Sequence, residues 1–238
     1  MTKSTGLAII YEETNENEGL IMTKLCIFDL DGTLTDTIPA IAHFGNTALT
    51  SYGFTELPNE RYKKLVGNGR DKLIHRMLRE NGADTSENYE KVGKAYDAAY
   101  EADPLFETKP YDGIIELLDS LIENDIKIAV LSNKPDNVAQ DVVRLFFKDR
   151  FNAAYGQRSG IAIKPEPIAA LEIAKELGID VSEAVFIGDT NVDILTGKNA
   201  GMKTIGVLWG FRDEEELLSA GADYIVSNPL EILDIILK

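Results

Sequence analysis

The stretch Lys24-Leu25-Cys26-Ile27-Phe28-Asp29-Leu30-Asp31-Gly32-Thr33-Leu34 decides how the chain is read. Four apolar residues run without a break into two carboxylates one residue apart, then a glycine and a threonine. That is the pattern of a buried parallel strand ending in a polar crevice. In open α/β sheets ligands bind in that crevice, beyond the carboxyl ends of the strands. Two anions at the end of an apolar strand need a compensating charge, because desolvating an unpaired carboxylate is costly. A hard cation held by oxygen ligands meets the need, and Mg²⁺ is the expected one. A calcium loop of the EF-hand kind starting at Asp29 is excluded, since it requires glycine and glutamate where the chain has Leu34 and Ala40.

Around this stretch, 238 residues with 44% hydrophobic content are enough to bury a substantial core, as one domain or as one domain carrying a smaller insertion. The apolar runs fall short of a membrane span, and residues 1–21 are acidic with only a brief Leu7-Ala8-Ile9-Ile10 patch. A cytoplasmic protein without a signal peptide is expected. The single cysteine, Cys26, excludes an internal disulfide, and its place inside the first strand makes it a packing residue. A net charge of -16 argues against nucleic acid or an anionic membrane as partner. The expected partner is a small molecule, and nothing in the sequence indicates an oligomeric state.

Residues 1–21 show no sustained periodicity and read as a flexible tail. Helical spacing runs through 35–53 and returns near 59–66, 70–81 and 86–102, with no strand-like alternation between. Asp103-Pro104 and Lys109-Pro110 mark the exit from this helical stretch, because the residue before a proline is pushed out of helix. From Tyr111 the chain alternates. An apolar helix face over 114–122 leads to a strand at 126–131 that ends in Ser132-Asn133-Lys134, and Pro135 opens the next helix. A strand near 151–155 precedes Lys164-Pro165-Glu166-Pro167 and a helix up to Gly178. Ala184-Val185-Phe186-Ile187 is a strand ending in Gly188-Asp189-Thr190, and strands over 204–208 and 223–226 follow. The expected fold is α/β: a Rossmann-like three-layer core with a mainly parallel sheet, built from 22–35 and 109–238, plus an inserted all-helical cap at 36–108.

Three of these strands end in polar groups: Asp29 and Asp31, then Ser132 and Asn133, then Asp189 with Asp193 four residues on. Parallel strands bring such ends to one edge of the sheet. With Lys164 on its loop, their order and spacing resemble the four motifs of the haloacid dehalogenase superfamily of phosphohydrolases, beginning with Asp29-Leu30-Asp31-Gly32-Thr33. Val66-Gly67-Asn68-Gly69 followed by Arg76, with Ser132-Asn133-Lys134-Pro135, Lys164-Pro165 and Gly188-Asp189-Thr190, is similar to the phosphoglycolate phosphatase branch, over roughly 22–238.

A phosphate monoester dianion repels a carboxylate nucleophile, and a Mg²⁺ bound by Asp29 and Asp189 would relieve the repulsion. The resemblance implies a Mg²⁺-dependent phosphomonoesterase in which Asp29 attacks phosphorus and forms an aspartyl-phosphate. It implies that Asp31 gives its backbone carbonyl to the metal and its side chain to acid–base work. The backbone of Gly32 and Thr33, with Ser132, Asn133 and Lys164, is expected to bind the phosphoryl oxygens. Asp193 either holds a metal-bound water, orients Lys164, or is a first-turn helix carboxylate. Asp36 is expected as a hinge or helix cap.

The helical stretch would then be a cap that chooses the substrate. Between Arg61 and Arg79 seven basic residues and one acid give a net +6, the local field an anionic substrate needs. Gly67, Asn68, Arg70 and Arg76 are the expected substrate contacts, with His43, His75 and Trp209 packing elsewhere. A pyrophosphatase or a β-phosphoglucomutase-like sugar phosphomutase on the same fold is the alternative. A phosphorylatable signalling or binding module, as in receiver domains, is disfavoured by Asp31 and by the large insertion.

Overall fold

The computed structural model describes residues 22–103 and 105–237. The expectations for 1–21 and for Pro104 lie outside the described residues. Among these, the core elements in chain order are β1 (Leu25–Phe28), α5 (Ile114–Glu123), β4 (Lys127–Pro135), α6 (Asp136–Phe147), β5 (Ala153–Gln157), α7 (Ile168–Glu176), β6 (Ala184–Gly188), α8 (Asn191–Asn199), β7 (Lys203–Val207), α9 (Glu214–Ser219), β8 (Tyr224–Val226) and α10 (Glu231–Ile236). The strands form one sheet in the order β5-β4-β1-β6-β7-β8. Every neighbouring pair is parallel.

The unbroken apolar run of β1 follows from its central place. Cys26 and Phe28 point into a cluster with α5, α6 and α10, whereas Leu25 and Ile27 point into one with α7, Phe186 and Met202. Both pleat faces are therefore covered, which is why the run does not alternate with polar residues. All four side chains are fully buried, and Leu25, Ile27 and Phe28 each contribute about 1.5–3 kcal/mol relative to exposure. Burial also pushes the Cys26 thiol above its ordinary range, so it stays protonated and inert.

Between β1 and α5 the chain builds α1 (Ile38–Thr50), α2 (Asn59–Leu65), α3 (Arg70–Glu80) and α4 (Ser86–Ala102). These helices bury their own cluster, including Ile41, Phe44, Tyr62, Ile74, Met77 and Tyr96. Ile38, Ile41, Ala42, Ala48 and Leu49 recur at helical spacing and make the buried stripe of α1. Gly45 on the same stripe is required there, since a Cβ would sit 2.3 Å from the Tyr62 hydroxyl.

The insertion differs from its expected form at its root. Thr35–Asp36 is a short strand, β2, paired antiparallel with Lys109–Pro110, β3. Helix begins only at Ile38, with Thr37 at the N-cap position and Pro39 in the first turn. Asp36 therefore sits in a two-stranded ribbon opposite Lys109 and caps no helix. In the core, β4 continues through Ser132-Asn133-Lys134 to Pro135, so these polar residues belong to the strand, and Pro135 precedes α6 rather than opening it. Helices α9 and α10, six residues each, are too short to show a clear 3.6-residue period.

Candidate active site

Asp29 leaves the end of β1 with its N–H bonded to the Ile187 carbonyl at 2.9 Å, which sets it beside the end of β6. Its Oδ1 lies 2.7 Å from the Lys164 ammonium. Lys164 also touches Asp193 Oδ1 at 2.6 Å. Asp29, Asp189 and Asp193 are all buried, with one ligand oxygen from each lying within 4.8 Å of the others. Lys164 thus meets two of the three carboxylates, and burial together with the remaining negative charge shows in the titration of Asp29 and Asp189. Burial first, then Asp193, raises Asp29 from the ordinary 3.8 to about 7, although Lys164 pulls the other way. Burial, then Asp193 and Asp29, raises Asp189 well above the carboxylate range. Burial pulls the Lys164 ammonium down, but Asp193 and Asp29 outweigh it and hold it protonated above its usual range. A buried, oxygen-only donor set carrying uncompensated charge fits a hard divalent cation.

The surroundings fix these carboxylates in place. Asp189 accepts the Thr33 hydroxyl at 3.0 Å on Oδ1 and the Phe211 N–H at 2.8 Å on Oδ2. Gly32, at φ +94°, packs so closely that a Cβ there would lie 2.3 Å from Asp189 Oδ2. Asp193 Oδ2 accepts the Thr190 N–H at 3.0 Å and the Thr190 hydroxyl at 2.7 Å. This closes a capping box at the start of α8. Asp193 is therefore at once the first-turn carboxylate of a helix and the group that orients Lys164.

Asp31, two residues beyond Asp29, has a cation of its own. Both its oxygens accept from Lys134 Nζ, at 3.0 and 2.9 Å. The ammonium stands 5.4 Å from the centre of the Tyr100 ring. Past Leu131 the register of β4 against β5 shifts, so Ser132 and Lys134 lie in an irregular stretch of the strand. The Ser132 hydroxyl accepts the Lys134 N–H at 3.2 Å. Asn133 is committed elsewhere. Its Oδ1 accepts the Lys164 N–H at 2.9 Å, and its Nδ2 donates to the carbonyls of Lys164 at 3.1 Å and Gly67 at 3.2 Å. Its amide therefore anchors the Lys164 loop and ties it to the helical unit.

These groups open onto a cavity of about 290 Å³ between core and helices. The core wall carries Asp29, Asp31, Ser132, Asn133, Lys134 and Lys164. The opposite wall carries Gly67, Gly69 and Arg70 with the apolar Ile41, Leu73, Tyr96 and Tyr100. Gly32, Thr33, Asn68 and Arg76 do not line it, and the Thr33 hydroxyl is spent on Asp189. Arg76 turns instead onto the carbonyls of Leu65 at 2.7 Å and Val66 at 3.4 Å, and onto Asn68 Oδ1 at 2.7 Å, bracing the turn before α3. Arg70 reaches the cavity already paired with Asp97 at 2.7 Å and Asp71 at 2.9 Å. Arg61, Lys63 and Arg79 pair with Glu80, Glu60 and Asp84. Four of the seven basic residues are thus paired with acids, all but Asp71 from outside the 61–79 window. His43 stacks on Phe106 and His75 on Tyr89, and neither lines the cavity.

Sequence reasoning missed Lys134 and Phe211, which line the cavity, and Arg212, which bonds the Val66 carbonyl beside it at 3.0 Å. For Lys134 strand alternation gives no cue, because the register shift past Leu131 brings Ser132, Asn133 and Lys134 alike to the cavity. Phe211 and Arg212 lie in a loop after β7, where no periodicity marks them.

A family model described as haloacid dehalogenase-like hydrolase matches residues 26–207. A phosphoglycolate phosphatase of Neisseria meningitidis serogroup A is 35% identical over 92% of this chain and 95% of that protein. An N-acetylmuramic acid 6-phosphate phosphatase of Pseudomonas aeruginosa is 30% identical over 90% of this chain and 94% of that protein. Among solved structures, a Lactobacillus delbrueckii subsp. bulgaricus protein provisionally assigned as a phosphoglycolate phosphatase superposes with a TM-score of 0.87 at 31% identity, covering 90% of this chain and 98% of that one. No helix among the described residues is long and apolar enough to cross a membrane.

Proposed function

Because the chain belongs to the haloacid dehalogenase-like hydrolases, we propose that it is a Mg²⁺-dependent phosphomonoesterase for small anionic phosphate esters, with 2-phosphoglycolate as the first substrate to test. The observation that carries the reading is Asp29 on the cavity wall, 2.7 Å from Lys164 and clustered with Asp189 and Asp193. Asp29 and Asp189, with the Asp31 carbonyl, would hold the cation. When bound, it offsets the charge between nucleophile and phosphate dianion.

The residues of the chain do the rest. An Asp29 carboxylate oxygen attacks phosphorus as the P–O ester bond breaks, and the electron pair of that bond stays with the leaving oxygen. The Asp31 carboxyl supplies a proton to the leaving oxygen. It then accepts one from the water that attacks the aspartyl-phosphate, restoring Asp29 and releasing phosphate. Lys164 and the Ser132 hydroxyl face the phosphoryl oxygens, and Asp193 and Asn133 keep Lys164 in place. The helices of 36–108 act as a cap that encloses the leaving group.

A second reading, turnover of a bulkier sugar phosphate, is favoured by the wall of Tyr96, Tyr100, Ile41 and Leu73 and by an Arg70 already engaged by Asp97. Phosphate release from 2-phosphoglycolate, hexose phosphates, amino-sugar phosphates, nucleotides and pyrophosphate, with and without Mg²⁺, separates the two. A Mg²⁺-dependent preference for 2-phosphoglycolate supports the first reading and a preference for a sugar phosphate the second. No turnover of any ester rejects both.

A further inference from the structure

The segment after β7, Trp209-Gly210-Phe211-Arg212, touches both the carboxylate cluster and the helical unit within four residues. The Trp209 indole N–H donates to the Thr33 carbonyl at 2.9 Å. Gly210 packs so tightly that a Cβ there would stand 2.3 Å from Asp189 Cβ and 2.5 Å from the Gly32 carbonyl. The Phe211 N–H donates to Asp189 Oδ2 at 2.8 Å. The Phe211 ring meanwhile enters the apolar cluster of α1–α4.

Arg212 reaches further. Its Nη2 donates to the Val66 carbonyl at 3.0 Å, its Nη1 to the Lys63 carbonyl, and its Nε is held by Glu216 at 3.0 Å. Those carbonyls lie at the C-terminal end of α2, where the helix gathers partial negative charge. Val66 and Gly67, immediately beyond, line the cavity.

We infer that Arg212 is a positioning residue that seats the Val66–Gly67 wall over the carboxylate cluster, and that this seating depends on the cation held by Asp189. The Phe211 N–H and the Arg212 guanidinium sit on consecutive residues, and the backbone before them is pinned to Asp189 and to the loop after β1. A cation on Asp189 adds to the Thr33 and Phe211 contacts that already hold it, and so stiffens the point from which Arg212 reaches α2. Two other ties reach the same turn and lack this property. Arg76 acts from within the helical unit, so it shapes the turn without placing it over Asp189. Asn133 holds Gly67 from β4, with no bond to Asp189. By linkage, whatever affinity the cation lends to cap seating is returned to the cation.

The inference rests on the proposed reading only in requiring a divalent cation at Asp29 and Asp189. The test is amide hydrogen exchange over residues 59–69 of the full chain, with and without Mg²⁺, in the wild type and in Arg212→Gln. Mg²⁺ affinity is measured on the same samples by calorimetry. In the wild type, Mg²⁺ is expected to slow exchange of the last turn of α2 by about fivefold or more, the low end of ordinary coupling between sites. In Arg212→Gln, with Mg²⁺ still bound, that protection is lost, and KM for the best ester rises about tenfold, as expected for losing charged hydrogen bonds. Equal protection in the two proteins, or none in a wild type that binds Mg²⁺, overturns the inference. Failure of the wild type to bind Mg²⁺ overturns it together with the metal reading, and calorimetry identifies that case on its own. If Arg212→Gln does not fold, Arg212→Lys replaces it, with protection expected to fall by about half or more; unchanged protection there overturns the inference as well.

Discussion

Replacing Asp29 by asparagine is expected to abolish turnover and, in metal-free protein above neutral pH, to increase stability. Burial, then Asp193, raises Asp29 from 3.8 to about 7. Between those two values the native carboxyl keeps its proton while the unfolded chain has lost it. The native state then binds more protons, so stability falls as pH rises through the window and the full penalty is present above it. At 1.36 kcal/mol per unit, the shift from 3.8 to about 7 is worth about 4 kcal/mol. Asparagine removes the charge and keeps the shape. It forfeits the charged contact with Lys164, which still has Asp193 at 2.6 Å. A net gain of about 1–3 kcal/mol at pH 8 follows. Denaturant unfolding in a chelator at pH 8 and pH 4 measures it. The gain is expected at pH 8 and nearly absent at pH 4. Saturating Mg²⁺ should reverse the order at pH 8, because a cation at 100 times its Kd stabilises the wild type by about 2.7 kcal/mol. A variant no more stable than the wild type in chelator at pH 8 would refute the claim that charge excess defines this cluster.

Other outcomes follow from the same geometry. Mg²⁺ affinity should climb as pH rises from 5 through 7, since binding must displace protons held by Asp29 and Asp189; calorimetry in buffers of different ionisation enthalpy counts those protons. Gly210→Ala, whose Cβ would lie 2.3 Å from Asp189 Cβ, should cost about 1–3 kcal/mol and weaken Mg²⁺ binding, as read by thermal unfolding and metal titration. Lys134→Met removes the two contacts that hold the Asp31 carboxyl in its orientation at the cavity wall. It should slow first-turnover cleavage of an alkyl phosphate about 10²-fold and that of p-nitrophenyl phosphate far less, since nitrophenolate leaves without a proton; equal losses would remove Lys134 from the acid–base apparatus.

Most of the core was legible from the sequence because parallel strands covered on both faces read as short apolar runs, and three of them end in Asp29, Ser132 and Asp189. The helical stretch was legible from its 3.6-residue spacing. Residues whose roles depend on long-range pairing were not. Arg70 reads as a free cation until α4 brings Asp97 against it. Arg76 follows the glycine turn closely enough to pass for a ligand contact, yet it points back at that turn's carbonyls. Arg212 is an ordinary loop residue in one dimension, and only packing sets it at the end of α2. The β2–β3 ribbon, two residues per strand, is shorter than any alternation that could be read.

That ribbon bears on how the chain reaches its native topology. In the sheet Leu25 pairs with Lys127, so the central strand must find a neighbour roughly a hundred residues away, the kind of contact that slows folding. Thr35 and Pro110 are partners in the ribbon, and the helices between them bury a cluster of their own. Once that excursion has closed on itself, the stretch left for β1 and β4 to search across is only the short arms on either side of the ribbon. Shortening or lengthening the helices should therefore leave refolding of the sheet almost unchanged in rate, whereas breaking the Thr35–Pro110 pairing should slow it.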